Sequence, residues 1–230
     1  MQTHISTTQL NSSLTQVELG MPMDEQPQGQ TDQSAQHRQI AEEQQYRAGA
    51  YSLLAALLRA APATDVLKQV AGFGKIEVDE DEMLLAMSSL GLAVGTVSEQ
   101  SITNEYHDLF IGVGRGELVP YGSWYLTGFL MEQPLSILRD DLKILGIERD
   151  TSVKEPEDHI GSLFEVMAIL ISEDVAAHVQ LQFFSKHLEP WCEKFFVDLA
   201  EAKSAQFYRS VGRFGSAFIA LDSQYLKSPV

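Results

Sequence analysis

From about Gln39 onward, large apolar residues recur every three or four positions, and no run alternates apolar with polar residues in the manner of a strand. A chain patterned in this way gives each helix one apolar stripe, and the stripes can be buried only by packing helix on helix. No internal repeat subdivides it, which excludes a solenoid. The expected fold class is therefore all-α.

The stripes can be read one by one. Tyr51, Leu54, Ala55 and Leu58 form the first, which Pro62 stops, and a short helix follows with Thr64 as its N-cap. Residues from Glu80 to about Val94 carry Met83, Met87 and Leu90 on one face. Thr96-Val97-Ser98-Glu99 has capping-box form and opens a helix with Ile102, Tyr106, Leu109 and Phe110. Pro134 suits the first turn of a helix striped by Leu135, Leu138, Leu142 and Leu145 and ended by Gly146. Pro156 opens the most apolar helix, whose Ile160, Leu163, Phe164, Met167, Leu170 and Ile171 cover so wide a face that it belongs at the centre. Helices near 175–188, 190–203 and 206–221 complete the chain, the last with Phe207, Val211, Phe214, Phe218 and Leu221 on one side.

Residues 1–37 are rich in Gln, Ser and Thr and broken by Pro22 and Pro27; they hold too little apolar surface to offset their ordering entropy and read as a disordered tail. The remainder reads as one domain over 38–225, with an N-terminal helical part 38–146, a polar hinge 147–156 and a C-terminal helical part 157–230.

Charge narrows the partners. Asp and Glu number 32 against 16 Lys and Arg, a net charge of −16, which repels nucleic acid and anionic lipid and attracts basic segments. Cys192 is the single cysteine, so no internal disulfide forms and a reducing compartment is expected. The first residues lack a basic stretch followed by an apolar one, and no apolar run approaches the ~18 residues of a membrane span, so a cytoplasmic protein without membrane insertion is expected.

Two segments concentrate chemistry. The first, Ile111 to Tyr125, reads IGVGRGELVPYGSWY, with four glycines, one proline and three aromatics. Loops that long in a compact domain are functional or disordered, and the aromatics argue against disorder. Gly112-x-Gly114-x-Gly116 follows a helix and lacks a Gly-Lys-Ser/Thr ending, so the dinucleotide and P-loop patterns both fail; the glycines read as suppliers of positive φ to a packed loop. The second segment, Glu155-Pro156-Glu157-Asp158-His159, joins three carboxylates and an imidazole where a helix begins. Acidic residues there oppose the helix dipole, and Glu155 can cap. No metal-ligand spacing is present, and Asp158 and His159, as neighbours about 100° apart on a helix, make no acid/base couple. Catalysis is not supported. Carboxylates receiving guanidinium groups, with His159 hydrogen-bonding a peptide, are the natural chemistry of this cluster. In His187-Leu188-Glu189-Pro190-Trp191, His187 reads as a capping or core histidine and Trp191 as buried.

Taken together, Tyr106-His107-Asp108-Leu109-Phe110, then GVGRGELVPYGSWYL, EPEDH and HLEPW before an aromatic-rich last helix resemble the TorD/DmsD family of cytoplasmic redox-enzyme maturation chaperones. Order and spacing carry the resemblance, over about residues 40–222. It implies two helical parts meeting near the Glu-Pro-x-Asp-His motif. It also implies a non-enzymatic function: binding the twin-arginine signal peptide of a molybdopterin-containing oxidoreductase precursor, preventing premature export and assisting cofactor insertion. Family binding residues carry over onto Pro120 and Tyr121, where relatives often have Trp, and onto Asp158 and His159. On this reading Asp158 with Glu155 or Glu157 attracts the arginine pair. Leu118, Tyr121 and Tyr125, with Ser123 in the same motif, line an apolar face for the rest of the signal. No cofactor is expected. Two alternatives stay open: a weak guanine-nucleotide (GTP) site in which Arg115 meets a phosphate, and an assembly factor that acts on the body of an enzyme, like the nitrate-reductase delta-subunit relatives. A hinge between helical halves makes either a monomer or a domain-swapped dimer the expected state.

Overall fold

The computed structural model describes residues 28–78, 80–113, 115–150 and 153–228, with side chains of the first helix described from Gln39. The chain divides into two units, 1–38 and 39–230. Residues 1–27 of the expected disordered tail lie outside the described residues. The first helix, α1 (Gln28–Arg59), begins ahead of the Gln39 at which the periodicity predicts it. After it come α2 (Thr64–Gly72), α3 (Glu82–Val94) and α4 (Glu99–Tyr106). A π-helical turn over His107–Ile111 leads to the short α5 (Gly122–Thr127) and then α6 (Gln133–Leu145). The series closes with α7 (Ile160–Ser172), α8 (Ala177–His187), α9 (Cys192–Glu201) and α10 (Phe207–Lys227). The described residues are all-α, with one isolated bridge in place of any sheet.

The predicted stripes form the core. Tyr51, Leu54, Ala55 and Leu58 of α1 are buried, as are Ile160, Leu163, Phe164, Met167, Leu170 and Ile171 of α7. Tyr51 meets Phe164 and Phe218 at centroid distances of 5.5 and 4.8 Å, and Phe164 stacks on Phe196 of α9 at 5.8 Å. Helix α10 packs against α3, α4, α8 and α9. Trp191 is buried as expected, and burial pushes the Cys192 thiol up to about 12, which leaves it a small apolar filler.

Several local expectations shift. Thr64 begins α2, and the N-cap is Ala63 without a side-chain bond. The box at Thr96 moves along the chain: Ser98 caps α4 by accepting from Ser101 N at 3.1 Å, while Glu99 accepts from Thr64 Oγ1 at 2.8 Å. Leu221 is half exposed because Asp222, one residue on, takes the next inward position of α10. The long loop contains α5, and the central helix starts at Ile160 instead of Pro156. Both changes come from a crossing of the two chemistry-bearing segments.

Two buried polar networks join distant elements. Asp222 of α10 accepts from Arg47 Nε and, at 2.7 Å, from Tyr51 Oη, while Arg47 also donates to Gln180 of α8 at 2.9 Å. Glu105 of α4 accepts the backbone N–H groups of Gln206, Phe207 and Tyr208 at 2.7, 3.0 and 2.6 Å, and so caps α10 from another helix. Nearby, Glu117 accepts from Lys203 N and Ser204 N.

Candidate functional site

Residues 119–122 and 158–160 run antiparallel for one bridge, between Tyr121 and His159. Gly122 N donates to Asp158 O and Ile160 N to Pro120 O, each at 2.9 Å. Pro120 has no N–H, so it can join this bridge only as an acceptor. His159 is extended (φ −63°, ψ 133°), whereas Asp158 lies in the turn that His159 N closes by donating to Pro156 O at 3.2 Å, so the two side chains leave the chain in different directions. The two residues accordingly cap different helices. Asp158 Oδ2 accepts from Ser123 N at 2.8 Å at the start of α5, and His159 Nδ1 accepts from Gly161 N at 3.1 Å at the start of α7.

Asp158 is 3% exposed, and its Oδ1 accepts no hydrogen bond from the described residues. A buried carboxylate oxygen left in this state is costly unless a donor reaches it. The imidazole of His159 is held near 4 by burial, against the nearby Glu155 charge and with help from Arg59; it is neutral at pH 7, with Nε2 carrying the proton because Nδ1 accepts.

This gives a pH prediction. The unfolded histidine titrates near 6.5 and the folded one near 4, so the unfolded state alone takes up a proton as pH falls through that window, and stability falls with it. Urea unfolding at pH 7 and pH 5 is expected to differ by about 2 kcal/mol from this group. Burial lowers His187 in the same sense. His159→Gln is expected to shrink the difference between the two pH values; an unchanged difference would refute the assignment.

Tyr121 sits edge-on to His159 at 5.1 Å and donates its hydroxyl to Glu155, which with burial pushes the phenol well above its ordinary range. Its ring joins Phe110, Leu118, Pro120, Trp124 and Leu130 around a shallow apolar groove. Arg115, at the rim, lies 4.7 Å over the Trp124 ring. The glycines on either side of it answer steric need: Gly112 has φ +59°, and a Cβ on Gly116 would lie 2.5 Å from Leu109 O. Gly114 lies outside the described residues.

Other predicted residues are placed differently. Glu157 is bound by Arg139 at 2.9 Å and Arg149 at 3.3 Å; burial pulls its carboxyl up, but these arginines outweigh it and hold the group below its ordinary range. Its charge is already answered from within. Tyr125 turns away to α9, where it packs on Trp191 and Phe195 and donates to Asp198 at 3.1 Å. Ser123 is wholly buried, and its Oγ accepts from Met131 N at 3.2 Å. That bond holds a turn in which Phe129, Leu130 and Met131 are 68, 47 and 73% exposed. Neither this turn nor Trp124 and Leu130 was among the predicted site residues. The signal was present: three large apolar residues between Gly128 and Pro134, where a connecting loop is normally polar.

Residues 78–197, more than half of the chain, match the family model described as nitrate reductase delta subunit. The relatives found by sequence include the probable Tat proofreading chaperone DmsD of Haemophilus influenzae, 33% identical over 115 residues. The chaperone protein TorD of Vibrio atlanticus is 28% identical over 141 residues. The chain belongs to the TorD/DmsD family. The matches cover 49% and 56% of this TorD/DmsD chain, and span 56% and 66% of the lengths of those two relatives. A crystal structure described as a redox enzyme maturation protein from Archaeoglobus fulgidus, 18% identical, shares the fold with a TM-score of 0.53 over 76% of this chain and 93% of its own. The matched region holds both the Pro120–Tyr121 and the Asp158–His159 segments. No helix among the described residues is long and apolar enough to cross a membrane.

Proposed function

We propose that this protein is a cytoplasmic chaperone, not an enzyme, that binds the twin-arginine signal peptide of a molybdopterin-containing oxidoreductase precursor. By holding the precursor it prevents early export and leaves time for folding and cofactor insertion. The observation that carries the reading is the buried Asp158 carboxylate, one oxygen unpartnered, at the crossing of the aromatic loop and the Glu-Pro-Glu-Asp-His segment. A guanidinium answers such a carboxylate, and the groove of Tyr121, Trp124 and Leu118 with the exposed 129–131 turn suits the apolar stretch behind the arginines. The net charge of −16 steers a basic peptide toward it, in monomer or domain-swapped dimer alike. This binding chemistry requires no cofactor.

Calorimetric titration with a panel of twin-arginine signal peptides, each beside a Lys-Lys control, tests the reading. Saturable binding that needs the arginines is expected, in the micromolar to nanomolar range of about −8 to −12 kcal/mol. Failure of the folded protein to bind any peptide would sink it. The match to the delta-subunit model favours a second reading, in which the chain recognises the body of an enzyme that carries no such signal. Binding to an apo-enzyme but to no peptide would establish that alternative.

A further inference from the structure

Asp158 also lines a second pocket, distinct from the aromatic groove, with Leu126, Ile137, Leu163, Lys186 and His187. Its walls are mainly apolar, and it lies between the end of α5, α6 and α8. Leu126 and Ile137 are partly exposed, so they are the side chains free to turn aside for an entering group. Two groups in the same pocket compete for the carboxylate by charge, Lys186 as an ammonium and His187 when protonated. Both are instead held by one residue of α6: Asp141 Oδ2 lies 2.6 Å from Lys186 Nζ and 2.7 Å from His187 Nε2.

We infer that this pocket admits one arginine side chain of the twin-arginine peptide to Asp158 Oδ1, and that Asp141 keeps it open by tethering Lys186 and His187 away from that carboxylate. The inference rests on the signal-peptide reading above and adds the route of entry and a specificity-determining residue remote from the family motifs. A guanidinium suits the pocket because its stem lies against Leu126, Ile137 and Leu163 while its planar head meets the carboxylate. An internal lysine released from Asp141 would neutralise the same carboxylate and exclude the peptide, as a competitor present at high effective concentration.

The test uses the full chain and a fluorescently labelled peptide with two arginines followed by a leucine-rich stretch, chosen from the same panel and read by anisotropy. Asp141→Asn is expected to weaken binding about tenfold or more, an electrostatic loss of ordinary size for a close charge pair. Lys186→Gln alone is expected to bind at least as tightly as wild type, and Asp141→Asn/Lys186→Gln to return to within about twofold of Lys186→Gln, since the competitor is gone. Circular dichroism of each variant reports whether the helices are intact. Wild-type affinity in Asp141→Asn overturns the inference alone. A loss in Asp141→Asn that Lys186→Gln does not rescue also overturns it, by showing a structural role for Asp141. Absence of binding by the wild type overturns both this inference and the signal-peptide reading.

Discussion

Glu105→Ala is expected to lower stability by about 3 to 5 kcal/mol, a large loss for a side chain with no part in the site. The carboxylate is buried and accepts three successive N–H groups at the start of α10, two of them at 2.7 Å or less. Those donors lie at the start of a helix, which has no partners of its own for them, and Phe207 and Tyr208 are fully buried. Alanine strands the two buried donors, Phe207 N and Tyr208 N, and leaves Gln206 N to water. The loss extends beyond the cap because α10 packs on α3, α4, α8 and α9, so its first turn cannot fray without exposing Phe207 and Tyr208. Glu105→Gln keeps an acceptor but loses the charge and one geometry, and should lie between wild type and alanine. Urea unfolding measures the total, and hydrogen exchange at the Phe207 and Tyr208 amides locates it. A loss below about 1 kcal/mol for alanine would mean that the connector finds other partners.

Asp222→Ala is expected to cost a similar amount, about 3 to 5 kcal/mol, for a different reason. Asp222 is 1% exposed and Arg47 is 7% exposed, so removing the carboxylate leaves a guanidinium buried with only the Gln44 and Gln180 side-chain oxygens and the Tyr225 ring for company. The Tyr51 hydroxyl loses its acceptor as well. Breaking such a pair costs more than the pair contributes, because the desolvation of the survivor is no longer answered. Replacing both members by apolar residues of similar volume, as in Arg47→Met/Asp222→Leu, is therefore expected to recover much of the loss. Chemical unfolding of the single and double variants decides it: a double variant as unstable as Asp222→Ala would show that the network contributes more than its own mutual compensation.

How much of this was legible in the sequence depends on the range of the interaction. The stripe of α7 was readable because burial repeats along one helix, and Ile160, Leu163, Phe164, Met167, Leu170 and Ile171 each lie where that period puts them. Leu221 broke the rule at the one position where Arg47, on a helix far away in sequence, required a carboxylate one residue later. The helix starts failed in the same way. A box of four residues is a local pattern, yet Glu99 spends its carboxylate on Thr64, and α10 takes its cap from Glu105. At the candidate site, Pro120, Tyr121, Asp158 and His159 were named through the family resemblance, which rests on the order and spacing of several motifs. Their geometry could not be read, because it depends on a single bridge between segments nearly forty residues apart, which turns an assumed helix start into a turn and a bridge and sends the two side chains to different helices. The Arg139 and Arg149 pairing of Glu157 and the turning of Tyr125 to Asp198 are likewise long-range choices that no periodicity records.

Met131 holds a backbone conformation that its side chain does not favour. Its φ is +61°, a left-handed conformation that costs an ordinary L-residue roughly 1–2 kcal/mol and glycine almost nothing. Its side chain is 73% exposed, so it gains little from burial in return. A sequence chosen for stability alone would relax this turn with glycine. Keeping methionine there leaves a strained backbone presenting a soft, adaptable thioether to solvent beside Phe129 and Leu130, the kind of surface that accommodates apolar segments of varied shape. If the turn binds the apolar part of a peptide as proposed, the trade between thermodynamic comfort and breadth of recognition lies at this one residue.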